Sequence, residues 1–138
     1  MNHRRDAMKS LLMLLAAGTA QGAETGRLPD AVLDLKQGKM TKHPFGELTT
    51  LFTGSTDQLK GMTAGSLLLY PGQEPHPPHQ HPEEEFMLIT EGTGTLLVHG
   101  KQHDVGPGSL MYCEGNHMHG IKNTSSAPMR FYFFKWSA

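Results

Sequence analysis

The chain has 138 residues, with 12 lysines and arginines against 13 aspartates and glutamates, and a single cysteine. That length supports one hydrophobic core, the lack of a basic excess excludes a nucleic-acid partner as an expectation, and one cysteine excludes an internal disulfide framework. Stability must come from packing, and Cys113 reads first as a small buried apolar side chain, with a reactive thiol as the alternative.

The first residues combine Arg4, Arg5 and Lys9 with an apolar run from Leu11 to Ala17 and small residues up to Ala23. A basic start, a short apolar stretch and a small-residue end read as an export signal over residues 1–23, and the adjacent arginines resemble a twin-arginine signal. The alternative is an amphipathic first helix packed on the fold. The apolar run is shorter than the roughly 20 residues that span a bilayer, so membrane contact is expected only through this segment, if it stays uncleaved. Cleavage after Ala20 or Gly22 fits the small-residue rule, and the expected location is periplasmic or secreted. Without residues 1–23 the charge is 9 basic against 12 acidic.

Residues 24–44 are polar, with Val32, Leu33 and Leu35 able to make a short first strand. From Phe45 to Trp136 the pattern is all-β. The runs Glu47–Phe52, Gly65–Tyr70, Glu85–Thr90, Gly94–His99, Ser109–Cys113, His117–Lys122 and Met129–Trp136 are short and rich in β-branched, leucine or aromatic residues. Turn chemistry separates them, as at Pro71-Gly72, Glu91-Gly92 and Gly106-Pro107-Gly108. Only Asp57–Met62 leaves room for a helical turn. Short strands at this spacing indicate a sandwich or barrel, and no internal repeat is visible.

The stretch Gly72–Gly92 concentrates the chemistry. His79 and His81 stand two apart, which on a strand puts both imidazoles on one face, and Glu85, Met87 and Ile89 share that parity. Phe86 and Leu88 take the opposite face, so the strand is expected to be buried between layers. Two imidazoles and a carboxylate suit a first-row divalent metal and leave coordination positions open. Glu83 and Glu84 compete with Glu85, which has both the strand parity and six residues between it and Gly92, so the other two read as solvated. Pro75, Pro77 and Pro78 make a stiff approach to the histidines, and His76 among them is expected at the mouth. His43, His99 and His103 read as solvated loop residues.

The spacing His-x-His, three residues, Glu, six residues, Gly resembles the first motif of the cupin superfamily, and His119 to Asn123 resembles the end of its second motif. The resemblance covers about Phe45 to Trp136 and implies a single double-stranded β-helix, or jelly-roll, barrel over residues 45–136. It implies one divalent metal ion on His79, His81, Glu85 and His119, with Fe or Mn favoured and Zn, Ni or Cu as alternatives. It also implies a homodimer, with residues 24–44 as a segment that can cross to the partner. The sequence departs from the motifs in three places: six residues separate Gly72 from His79 instead of five, Cys113 or Glu114 stands where proline is usual, and Gly115 sits one residue early. His117 therefore competes with His119 as the fourth ligand.

Members of this superfamily range from dioxygenases and lyases to storage and sensor proteins, so the fold alone does not choose an activity. The leading expectation is a metal-dependent, dioxygenase-like oxidoreductase acting on a small organic molecule, in a cavity lined by Met87, Ile89, Met111, Phe131 and Phe133. The alternatives are a metal-dependent lyase or decarboxylase, with His117 and Tyr112 as weak candidates for proton transfer, and a non-catalytic protein that binds a small carboxylate or sugar. No Lys or Arg is placed persuasively beside the ligands, although Arg130 is available on the last strand.

Overall fold

Alternation along the last long run of the chain shows how the fold is built. Met129, Phe131 and Phe133 are buried while Arg130, Tyr132 and Phe134 between them are only half-buried, the two-residue period of a strand with one face on a core. The computed structural model describes residues 26–138; the expected export signal and its alternative lie outside them. These residues form β1 (Lys39–His43), β2 (Gly46–Gly54), β3 (Gly61–Leu69), β4 (Glu84–Glu91), β5 (Gly94–Val98), β6 (Lys101–Val105), β7 (Leu110–Cys113), β8 (His119–Lys122) and β9 (Met129–Ser137).

The strands make a six-stranded sheet in the order β1-β2-β3-β9-β4-β7 and a three-stranded sheet in the order β6-β5-β8. Their pairings are antiparallel, and the expected all-β jelly roll is what the chain forms. Leu67, Leu69, Met87, Ile89, Phe131 and Phe133 from the larger sheet and Leu96 and Ile121 from the smaller belong to one core cluster. Although last in sequence, β9 is inserted between β3 and β4, with Phe131 opposite both Leu67 and Ile89 and Phe133 opposite both Gly65 and Met87.

Several expectations are corrected. Val32 is 94% exposed and pairs with nothing; instead Leu35–Gln37 form a 3-10 turn, in which the Asp34 backbone N–H donates to Gln37 Oε1 at 2.7 Å. The first strand is Lys39–His43, whose sequence KMTKH carries too little apolar signal to be read as one. Lys101–Val105, exposed at four of five positions, was hidden for the same reason; His103 therefore lies on a strand, although exposed, while His99 does occupy the turn. Asp57–Met62 is not helical: Thr56 Oγ1 accepts from the Gln58 and Leu59 N–H groups, and β3 already begins at Gly61. Finally, β4 is buried on one face only, since Phe86 is 36% exposed and stacks on Trp136 with ring centroids 5.5 Å apart.

The loop after β8 is held by Asn123, which is fully buried. Its Nδ2 donates to Leu69 O at 3.0 Å and Ala127 O at 2.8 Å, while its Oδ1 accepts from the Ser125 N–H and hydroxyl at 3.0 and 2.9 Å. Asn123→Ala would strand these partners in a buried place, and is expected to cost about 2–4 kcal/mol in urea denaturation. Thr124→Ala, at the exposed neighbouring position, should change stability by less than about 0.5 kcal/mol.

Candidate metal centre

The segment Pro75–Glu83 carries two of the candidate ligands and belongs to neither sheet ladder. It is pinned by backbone pairing instead: His79 N–H donates to His119 O and His119 N–H to His79 O, both at 2.9 Å, which adds His79 to the free side of β8. The Asn116 N–H donates to His81 O at 2.7 Å. Close packing fixes the same segment, because a Cβ on Gly115 would lie 2.3 Å from Pro82 O. The expected continuous strand from His79 to Ile89 is thus corrected: β4 begins at Glu84, after a bend at Pro82 and Glu83. The bend and the β8 bridge, not strand parity, bring the histidines over Glu85.

The three rings of His79, His81 and His119 meet nearly edge to face, with centroids 4.7–5.2 Å apart. One ring nitrogen from each lies within 4.8 Å of the others, so the three can hold a metal ion. Their tautomers follow from their partners. His81 Nδ1 is 3.0 Å from Glu83 O and His119 Nδ1 is 3.1 Å from His117 O, and a carbonyl can only accept. In the neutral rings Nε2 is therefore the lone-pair nitrogen, and both Nε2 atoms face the same oxygen, Glu85 Oε1, at 3.0 and 3.1 Å. Three electron pairs converge with no proton to share unless a ring is charged. His119 Nε2, off the line of a hydrogen bond, has no partner although fully buried. A divalent cation resolves this arrangement, and the Nδ1–H···O=C bonds are the kind that orient metal-binding imidazoles.

The electrostatics agree. Burial pushes Glu85 up, but the His119 and His81 rings against its carboxylate, which favour its charged form, and the nearby Lys135 charge hold it down at about 2, keeping it ionised. Burial and the neighbouring histidines lower His79 to about 4, so its ring is neutral over the ordinary range. Burial also lowers His119, yet the Glu85 carboxylate outweighs it and the net direction is upward. Cys113 is buried in the core, and burial raises its thiol, which makes it a packing residue at neutral pH.

His79 and His81 open on a cavity of about 200 Å³, with His119 buried behind them. Met87, Phe131 and Phe133 line it as expected, whereas Ile89 and Met111 belong to the core behind. Phe45 and Leu48 add to the wall, and His76 stands at its edge with its ring 3.7 Å from that of His79. Lys135 also lines it, a residue the sequence had not singled out because its facing depends on the register of β9. Tyr112 and His117 do not line this cavity. Tyr112 is exposed and donates to Glu84 Oε2 at 2.8 Å, a bond that raises its hydroxyl, and His117 is exposed beside Glu114 at 3.5 Å. Glu83 approaches His81 Nδ1 at 3.2 Å, from the side away from Glu85. Arg130 is directed to Ser66 Oγ at 2.8 Å, and His43 lies half-buried against Phe45.

The cupin domain model matches residues 65–135. Among proteins of known name, the dimethylsulfoniopropionate lyase DddW of Ruegeria pomeroyi is 32% identical over 82 residues, 58% of this chain and 53% of the lyase. The chain thus spans about half the length of that relative. Among solved structures, an RmlC-like cupin from Shewanella frigidimarina superposes with a TM-score of 0.64 at 15% identity, over 80% of this chain and 93% of the other. A sugar phosphate isomerase from a cupin superfamily of Silicibacter pomeroyi gives 0.62 at 19%, over 78% and 76%. At these identities the superpositions establish the fold alone.

Two measurements test the electrostatics. The unfolded chain takes a proton on His79 near pH 6.5 and the folded protein only near 4, so the unfolded state binds more protons in between. Thermal melts of chelator-treated protein should show stability falling from pH 6.5 to about 4, with Glu85 extending the loss from about 4.5 towards 2. His119 acts in the opposite sense and above 6.5, where its contribution is lost as pH rises through its raised value. His79→Gln should flatten the slope between 6.5 and 4; an unchanged slope would contradict the assignment. In direct titrations with Mn(II), Glu85→Gln should weaken binding at least about tenfold and Glu83→Gln much less, while equal losses would place the carboxylate elsewhere.

Proposed function

The chain belongs to the cupin domain family, and from that premise we propose that it is a metal-dependent enzyme acting on a small organic molecule, with dioxygenase-like oxidation as the leading chemistry. The observation that carries this reading is the convergence of His81 and His119 Nε2 on one Glu85 oxygen, with the His79 ring beside them. His79, His81, His119 and Glu85 would hold the ion and leave about two of six positions open. An iron or manganese ion there would supply Lewis acidity and redox access to dioxygen.

The protein's own residues would do the rest. Phe45, Leu48, Phe131 and Phe133 exclude water and hold the apolar part of a ligand beside the histidines. His76 is oriented by contact of its Nδ1 with Pro77 O at 2.9 Å, which leaves Nε2 as the nitrogen available for proton exchange at the mouth. Apart from the residues that would hold the ion, His76 is the one proton acceptor lining the cavity among the described residues, which suits oxidation better than a reaction that needs a strong base. The likeness to a lyase supports the second reading, metal-dependent elimination or decarboxylation, in which one of these groups removes a proton.

Two further features are proposals of the same standing. Arg4, Arg5 and the apolar run after them support export to the periplasm or beyond. Phe86, Tyr112 and the 62% exposed Leu110 on the outer face of the larger sheet support a homodimer in which a second copy covers them.

Elemental analysis of protein purified without chelator is the first test, alongside a His79→Ala/His81→Ala double variant. Near-stoichiometric iron or manganese, lost in the variant, is the expected result; absence of any divalent ion would overturn the reading. Oxygen uptake on small phenols and diketones then separates the chemistries. Turnover of dimethylsulfoniopropionate without oxygen uptake would favour the lyase, and saturable binding without turnover a binding protein.

A further inference from the structure

Lys135 has a position and a charge that the metal centre does not use. On β9 the side chains of Met129, Phe131, Phe133 and Lys135 follow one another on the inner face, so the lysine continues the aromatic wall towards the cavity. Its cross-strand partner on β4 is Glu85 and on β3 Thr63. An inward lysine opposite an inward carboxylate would ordinarily form an ion pair. Here none forms among the described residues, because Glu85 Oε1 is turned to His81 and His119. The other cation of the strand, Arg130, is engaged with Ser66 and does not line the cavity. Among the described residues Lys135 is therefore the one ammonium lining a mostly apolar cavity.

The charges lead to a ligand class. With neutral imidazoles, Glu85 and Lys135 balance one another. A divalent ion held by the histidines and Glu85 would tip the cavity to a net charge of +2, which an anionic ligand offsets. We propose that Lys135 is the anion anchor of this cavity, and that the molecule bound there carries a carboxylate whose apolar remainder lies against Phe131 and Phe133. The proposal deepens the metal-dependent reading by naming the substrate class, and it rests on that reading only for the positive charge the ion would add to that of Lys135. The competing role is purely structural: the stem covers the aromatic wall and the ammonium stays in water. That role predicts no preference for an anion.

Calorimetric titration of the full chain with benzoate and with its neutral isostere benzamide separates the two. The titrations use wild type, Lys135→Met and Lys135→Arg, each loaded with Mn(II) and each metal-free. Wild type should bind benzoate at least about tenfold more tightly than benzamide. Lys135→Met, which keeps the apolar stem, should erase that difference, and Lys135→Arg should restore most of it. Mn(II) affinity, measured separately, should be unchanged or slightly tighter in Lys135→Met because a like charge is gone. No saturable benzoate binding by wild type, or a benzoate affinity in Lys135→Met within about twofold of wild type, would overturn the proposal. Failure to take up Mn(II) would instead sink the metal-dependent reading, and the metal-free titrations would still decide the role of Lys135.

Discussion

Two backbone hydrogen bonds, exchanged between His79 and His119 at 2.9 Å each, join the two halves of the candidate site. The residues are forty apart in sequence, and the segment around His79 has no ladder of its own. Through this bridge a proline-rich stretch that would otherwise cross the barrel mouth becomes an extension of the smaller sheet. The two-way exchange fixes the register as well as the distance. Placing His79 against His119 also settles where His81 falls, two residues on, and the approach of Gly115 to Pro82 closes the other side.

Once the imidazoles are gathered, their electron pairs need compensation. Nδ1 of His81 and of His119 is spent on a backbone carbonyl, so their Nε2 atoms turn towards Glu85, itself buried and ionised. A cluster of lone pairs and negative charge in an apolar surround is costly without a cation. In the protein alone a proton on His119 partly fills that need, as its raised value reflects. The same feature explains why the lowered His79 and the raised His119 occur side by side: the carboxylate lies against one ring, and burial dominates the other.

The reading from sequence succeeded where a single local pattern was sufficient. Alternation and turn residues located seven of the strands, and the His-x-His spacing with the later His119 identified the residues that the fold brings together. It failed where the deciding information was not local. Lys39–His43 and Lys101–Val105 are polar edge strands defined by their neighbours, not by their own composition. The contribution of Lys135 depends on which face of β9 turns inward, and the choice between His117 and His119 as the residue beside Glu85 depends on the start of β8. Strand parity pointed to residues that do converge, but for the wrong reason, since the bend at Pro82 breaks the strand it assumed.

The placement of β9 has a further consequence, in the order in which the parts of the cavity can come together. β3 and β4 flank a position that β9 fills, and β9 follows both in the chain, so until β9 docks the larger sheet is split at its centre. Pairings of such long sequence separation form slowly. Glu85 and the aromatic wall of the cavity acquire their final neighbours only when Phe131, Phe133 and Lys135 arrive. The cavity wall is thus closed only once β9 docks, and a chain without that strand in place has no finished pocket in which to hold a ligand.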